Sequence, residues 1–227
     1  MTRIVHDLRS EGFPAHPDDA SAASPVVLLL HGFGSQERDL PGIVPHLGLT
    51  APWASLRAPH PVGGGAAWFP ITKPGNPDAA PVEDATEAIW EWVDANLGAA
   101  TPVVPVGFSQ GGLMASQLLR SRPDRVPAAV VLGGFTLGHP QAGDEALAAD
   151  PRPVFWGRGA EDLVIAPDAV VRTGEFLPAH AALTERVYPG LAHGINAAEL
   201  ADVRAFLAGV PALAEAVAAA GSEGGAR

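Results

Sequence analysis

The sequence predicts an α/β fold: one domain over residues 1–220, with a mostly parallel central sheet, helices on both faces and no cap domain. Three observations carry that expectation. Apolar runs rich in β-branched residues alternate with segments of helical periodicity along the 227 residues, the pattern of a parallel sheet wrapped by crossover helices. Val26–Leu30 is apolar at every position, as a strand covered on both faces must be. Residues 103–114 place an apolar run, a serine between two glycines and a helix-forming segment in immediate succession.

Residues 14–24, rich in Pro, Asp, Ser and Ala, read as a surface turn, and Pro25 opens the strand Val26–Leu30. His31 to Ser35 follows as a glycine-containing loop, then a short helix over 39–47 and a strand over 53–58. Proline and glycine fill residues 59–81, so this stretch reads as a long loop, a length that suggests function. A helix is expected over 82–97. Ala85, Ile89, Trp92 and Val93 share one face, and Glu83, Asp84 and Glu87 suit its positive N-terminal end. Further strands are expected at 128–132, 153–156 and 183–188, and helices at 167–176 and 197–207. The Gly- and Ser-containing stretch 221–227 reads as a disordered tail. About twenty residues separate the strand ending at Leu132 from Pro153. A covering domain does not fit there, so an open, shallow site is expected.

Composition narrows the partners. Lys and Arg number 14 against 25 Asp and Glu, a formal charge of −11. That balance argues against nucleic acid or an anionic membrane. Lys73 is the only lysine, so basic patches are hard to build. No cysteine is present, which removes disulfides, thiolate metal sites and cysteine nucleophiles. Residues 1–13 carry charges throughout and lack the apolar core of a signal peptide. Val26–Leu30 is far too short to span a bilayer. The expectation is a cytoplasmic protein with no integral membrane association, a monomer or weak homodimer acting on a small molecule.

Gly107-Phe108-Ser109-Gln110-Gly111 is a G-x-S-x-G turn between strand and helix. Side chains two before and two after the serine would collide in so tight a turn, and glycine at both places avoids this. Ser109 is then held at the tip, facing the N–H of Gln110 and the start of the next helix. A serine hydroxyl needs a base to take its proton and a carboxylate to orient the base. In the fold that uses this turn the order is Ser, acid, His. Asp162 follows one late strand and His193 the next, in that order. Glu161 is the strongest rival for the acid. Asp144 and Asp150 lie in a segment read as irregular, and Asp168 reads as an early helical residue. His180 falls in or just after a helix, and His139 precedes Asp162, the wrong order. Two N–H donors should face the developing oxyanion. Gln110 supplies one, and Phe33, in the loop His31-Gly32-Phe33-Gly34, supplies the other. His31 reads as a structural residue that holds this loop. Gly133-Gly134-Phe135-Thr136 ends a strand and should border the site.

Leu29-Leu30-His31-Gly32-Phe33-Gly34, Trp68-Phe69, Gly107-Phe108-Ser109-Gln110-Gly111-Gly112, Gly159-x-x-Asp162 and Ala192-His193-Gly194 recur in one order. Together they resemble the phospholipase/carboxylesterase family, which includes the acyl-protein thioesterases, within the α/β-hydrolase superfamily. The resemblance runs from about residue 26 to 207, and Gly34 to Leu40 looks more like its bacterial branch. It implies hydrolysis of carboxylic esters or thioesters without a cofactor or metal. Ser109 would be the nucleophile, Asp162 the acid, His193 the base, and Phe33 and Gln110 the oxyanion donors. Trp68 and Phe69 match a pair near the substrate site and would contact substrate, as would Phe135 from its place at a strand end, although Trp68-Phe69 also reads as an anchor for the long loop. Glu37 and Asp39 read as helix-start residues. The family's usual Asp after Trp-Phe is Pro70 here, and the usual Pro after the catalytic Asp is Leu163, which bears on substrate preference. Lysophospholipase, peptidase and acyl-protein thioesterase action are alternatives, and a non-catalytic binding protein on the same fold is a distant one. Dehalogenase and dienelactone-hydrolase chemistry is disfavoured because the elbow carries neither Asp nor Cys.

Overall fold

A computed structural model describes residues 2–17 and 24–213. The tail expected at 221–227 and residues 18–23 of the expected turn lie outside the described residues. The main sheet contains β1 (Asp7–Arg9), β2 (Val26–Leu30), β3 (Trp53–Leu56), β6 (Val103–Phe108), β7 (Ala129–Leu132), β8 (Arg152–Gly159) and β9 (Ala181–Tyr188). Their spatial order is β1-β3-β2-β6-β7-β8-β9. Only β1 runs antiparallel, pairing Leu8 with Ser55; the other pairs are parallel, with Leu28 opposite Ala54 on one side and Pro105 on the other. The proline in β6 sits in a fully flanked strand, where its missing N–H costs one ladder bond.

The period of two along the strands divides the core. Val26, Leu28 and Leu30 face one layer with Val131 and Trp156, while Val27 and Leu29 face the other with Val130 and Phe155. Helices α2 (Ala79–Leu97), α3 (Gln110–Ser121), α4 (Asp144–Ala149) and α5 (Pro167–His180) cover the first layer. Helices α1 (Val44–Leu47) and α6 (Ala197–Ala208) cover the second. All five residues of β2 are at most 1 % exposed, which explains why its apolar run lacks alternation. On α2 the expected face is buried, with Ala85, Ile89, Trp92 and Val93 all inside.

The structure corrects three sequence expectations. Residues 59–81 are not one loop: β4 (His60–Val62) and β5 (Gly65–Ala67) form a hairpin, and α2 starts at Ala79. The segment carrying Asp144 is helical: acidic Asp144 and Glu145 start a run of Ala and Leu, and buried Arg120 holds Asp144 by a two-pronged ion pair of 2.7 and 2.8 Å. Strand β8 continues past Trp156 to Gly159. Between β7 and β8 the only helix is the six-residue α4, so among the described residues this connection places no cap domain over the C-terminal ends of the strands, where ligands of open α/β sheets bind. Among the described residues no helix is long and apolar enough to cross a membrane.

Candidate active site

Strand β6 ends at Phe108 and α3 begins at Gln110, leaving Ser109 alone in the turn at φ 56° and ψ −115°. It is the only described non-glycine residue with positive φ. Its N–H donates to the Leu132 carbonyl at 2.8 Å, which pins the turn to β7. The flanking glycines are needed, though not against each other's side chains. A Cβ on Gly107 would stand 2.0 Å from the Gly111 carbonyl oxygen, and one on Gly111 would stand 1.9 Å from that of Leu30. Gly107 therefore clears the turn's own backbone, while Gly111 lets α3 approach β2.

The loops after β8 and β9 bring two further groups to Ser109. His193 Nε2 lies 2.9 Å from Ser109 Oγ, and His193 Nδ1 lies 2.7 Å from Asp162 Oδ2. Asp162 Oδ1 accepts the backbone N–H groups of Val164 (2.9 Å) and Ile165 (3.2 Å), so the carboxylate has one orientation. An ionised carboxylate only accepts, so Nδ1 carries the proton and Nε2 is left to accept the Ser109 hydroxyl hydrogen. The Phe108 ring packs against the imidazole, with centroids 4.9 Å apart. The sequence rivals lie elsewhere or are engaged. Glu161 is exposed, Asp144 holds Arg120, Asp150 pairs with Arg152 at 3.0 Å, and Asp168 stands in the first turn of α5. His180 stacks on Phe176, and His139 is exposed.

The loop after β2 is held from several sides. Fully buried His31 accepts the Ala58 N–H on Nε2 at 3.1 Å and gives its Nδ1 proton to the Gly32 carbonyl at 2.7 Å. Burial lowers its pKa, which keeps this neutral bridging form in place. The hairpin supports the same loop: Gly34 N–H donates to Ala66 O at 2.9 Å, and Ala66 N–H donates to Ser35 O at 2.8 Å. A Cβ on Gly65 would fall 1.9 Å from the Gly34 carbonyl oxygen, so the hairpin sits directly against it. Phe33 and Gln110 both border the space in front of Ser109. Glu37 and Asp39 do not cap a helix with their side chains. Glu37 pairs with Arg57 at 2.9 Å, and Asp39 accepts the Ser35 hydroxyl at 2.6 Å.

A cavity of about 440 Å³ opens at Ser109, within the range of small-molecule sites. Phe69 and Phe135 are on its wall, with Ile71, Val164 and Ile165. Trp68 is not on the wall. It is 0 % exposed, and its indole N–H is bonded to the His31 carbonyl at 2.8 Å, so this ring anchors the long segment. The Gln110 side chain was not legible in advance. Its Oε1 accepts the Trp68 N–H at 2.8 Å and its Nε2 donates to the Phe69 carbonyl at 2.7 Å. Among the described residues no group of three or more His, Asp or Glu side chains is placed to share a metal ion.

This sheet, with a serine at the strand–helix turn and a histidine and an aspartate on the following loops, is the architecture of the α/β-hydrolase fold. The chain belongs to the phospholipase/carboxylesterase family, whose model matches residues 17–210. It is similar to an acyl-protein thioesterase 1 of the yeast Debaryomyces hansenii, 28% identical over 153 residues. That match covers 62% of this chain and 65% of the relative, so the chain spans less than two thirds of that protein's length. Among solved structures it resembles a carboxylesterase of Bacillus cereus, with TM-score 0.70 and 20% identity over 88% of this chain and 92% of that one. It also resembles SOBER1 of Arabidopsis thaliana, with TM-score 0.67 and 23% identity over 81% and 97% of the two chains. At these identities the two structures speak for the fold.

Proposed function

We propose that this chain is a serine hydrolase that cleaves carboxylic esters through an acyl-enzyme. The observation that carries the reading is the unbroken relay from Asp162 through His193 to Ser109, with bonds of 2.7 and 2.9 Å. Ser109 Oγ attacks the ester carbonyl carbon as its proton passes to His193 Nε2. Asp162, fixed by two backbone donors, holds the tautomer and stabilises the imidazolium. The N–H groups of Phe33 and Gln110 receive the oxyanion, each contributing on the order of 3 kcal/mol to the transition state. His193 then gives its proton to the leaving group, and water attacks the acyl-enzyme by the same route.

Thioester or lysophospholipid cleavage is a second reading of the same site. The named thioesterase relative and the apolar wall of Phe69, Ile71, Phe135, Val164 and Ile165 favour it. Labelling with a fluorophosphonate tests the common step: Ser109 should react and the Ser109→Ala variant should not. Wild type should also turn over p-nitrophenyl esters, and Ser109→Ala should not. An unlabelled wild-type protein would leave only a binding role. Esters, thioesters and lysolipids of graded acyl length then separate the two readings.

A further inference from the structure

The chain has one lysine among its 227 residues, and that residue stands on the wall of the Ser109 cavity. Its place is built. Asn76 N–H closes a turn onto the Lys73 carbonyl at 3.1 Å. Gly75, at φ 72°, lies against the head of α5, where a Cβ would come within 2.6 Å of that of Ala166. Arg172 of α5 donates from Nη2 to the Gly75 carbonyl and from Nε to the Thr136 carbonyl at 3.1 Å. One guanidinium thus ties both the turn carrying Lys73 and the segment carrying Phe135 to a single helix.

The Lys73 ammonium itself has no hydrogen bond or ion pair among the described residues. The nearby acid in sequence, Asp78, accepts the Thr72 hydroxyl at 3.1 Å. Asp78 is not on the wall; the carboxylate that is, Asp39, belongs to the loop after β2 and accepts the Ser35 hydroxyl. Its neighbours on the wall include Ile71, Pro74 and Pro77. Lys73, Ile71 and Pro74 are exposed, so the ammonium reaches an anion at the cavity mouth through solvent-screened, salt-sensitive attraction. A chain of net charge −11 otherwise repels anions, so a local cation is what would reverse the sign at the site.

We propose that Lys73 makes this cavity selective for esters carrying a carboxylate or phosphate several bonds from the scissile carbonyl. The inference rests on the ester-hydrolase reading and specifies its substrate class. A neutral substrate gains nothing from the ammonium, so the ratio of kcat/KM for an anionic ester to that for its neutral counterpart isolates the effect.

The experiment measures that ratio in wild type, Lys73→Met and Lys73→Glu. One series uses p-nitrophenyl hemiesters of dicarboxylic acids against the same compounds with the far carboxylate methylated. A second uses acetate esters of ω-hydroxy acids, which move the anion to the leaving group. The ratio is expected to fall about two- to fivefold in Lys73→Met, which keeps the apolar stem, and further in Lys73→Glu. Added salt should lower it in wild type and raise it in Lys73→Met, where only the repulsion of the acidic chain is left to screen. The series that responds tells whether the anion rides on the acyl or the leaving side. A ratio equal in all three proteins in both series overturns the proposal, while turnover of the neutral esters keeps the hydrolase reading. If wild type neither hydrolyses any ester nor takes the fluorophosphonate label, the hydrolase reading fails and this inference with it.

Discussion

The Gln110 carboxamide spans the Trp68 N–H and the Phe69 carbonyl at 2.8 and 2.7 Å. The proposed oxyanion donor thus uses its side chain to hold a wall of the cavity. All of these groups are buried. Gln110→Ala should leave a donor and an acceptor unpaired and cost about 2–4 kcal/mol, read as a lower denaturation midpoint. Its backbone N–H survives, so kcat/KM should fall less than in Ser109→Ala. An unchanged midpoint would show that the bridge does not hold the segment.

Parts of this arrangement were legible in the sequence because they follow from periodicity or from a motif. Strand β2, helix α2 and the strand–serine–helix turn are of that kind. The hairpin was hidden because its strands contain Pro61, Gly65, Ala66 and Ala67 and show no alternation; beyond pairing with each other they are tied through Ala66 to the loop after β2. Helix α4 carries a local signal, Asp144 and Glu145 ahead of Ala-Leu-Ala-Ala, but six residues are too few for periodicity to mark it, and the Arg120 pair adds a tertiary tie. The end of β8 looked like a loop because it holds Gly157 and Gly159. Yet a Cβ on Gly157 would lie 2.2 Å from Glu199, and one on Gly159 would lie 2.1 Å from the Leu191 carbonyl. Trp68 could be linked to the site by resemblance, but which side of its segment faces the cavity is a tertiary property.

Asp162 offers a sharp test of the relay, because two N–H groups, those of Val164 and Ile165, fix its Oδ1. In Asp162→Asn the carbonyl oxygen would take that place and the NH₂ would face His193. The imidazole must then carry its proton on Nε2, which removes the base. The variant should fold with a near wild-type midpoint and lose on the order of 10³–10⁴ in kcat/KM. A loss below tenfold would rule out this orienting role.

Ser109 occupies a positive φ that a residue with Cβ adopts only under strain, on the order of 1–3 kcal/mol. Ser109→Gly should therefore be more stable than Ser109→Ala, by about 1–2 kcal/mol, although glycine is the poorer residue in most regular structure. Both variants lack the Ser109 hydroxyl, so the comparison isolates the backbone. Urea denaturation of the pair checks it; equal midpoints would mean that the turn stores no strain.

Glu199, in the first turn of α6, is 0 % exposed, and no well-formed hydrogen bond reaches either carboxylate oxygen. Burial pushes its pKa up to about 7; the Asn196 backbone amide opposes the rise and Asp202 adds to it. The native pKa lies above the ordinary value of 4.5, so between the two the folded chain binds more protons than the unfolded one. Stability contributed by the neutral carboxyl is then fully present below about pH 4.5. It is lost as pH rises to about 7, by at most about 3 kcal/mol. Glu199→Gln keeps the shape without the charge and should flatten this part of the stability–pH curve, with its largest gain over wild type above pH 7. Melting temperatures of the two proteins from pH 5 to 8 check the sign, and curves that stay parallel would show that Glu199 does not titrate there.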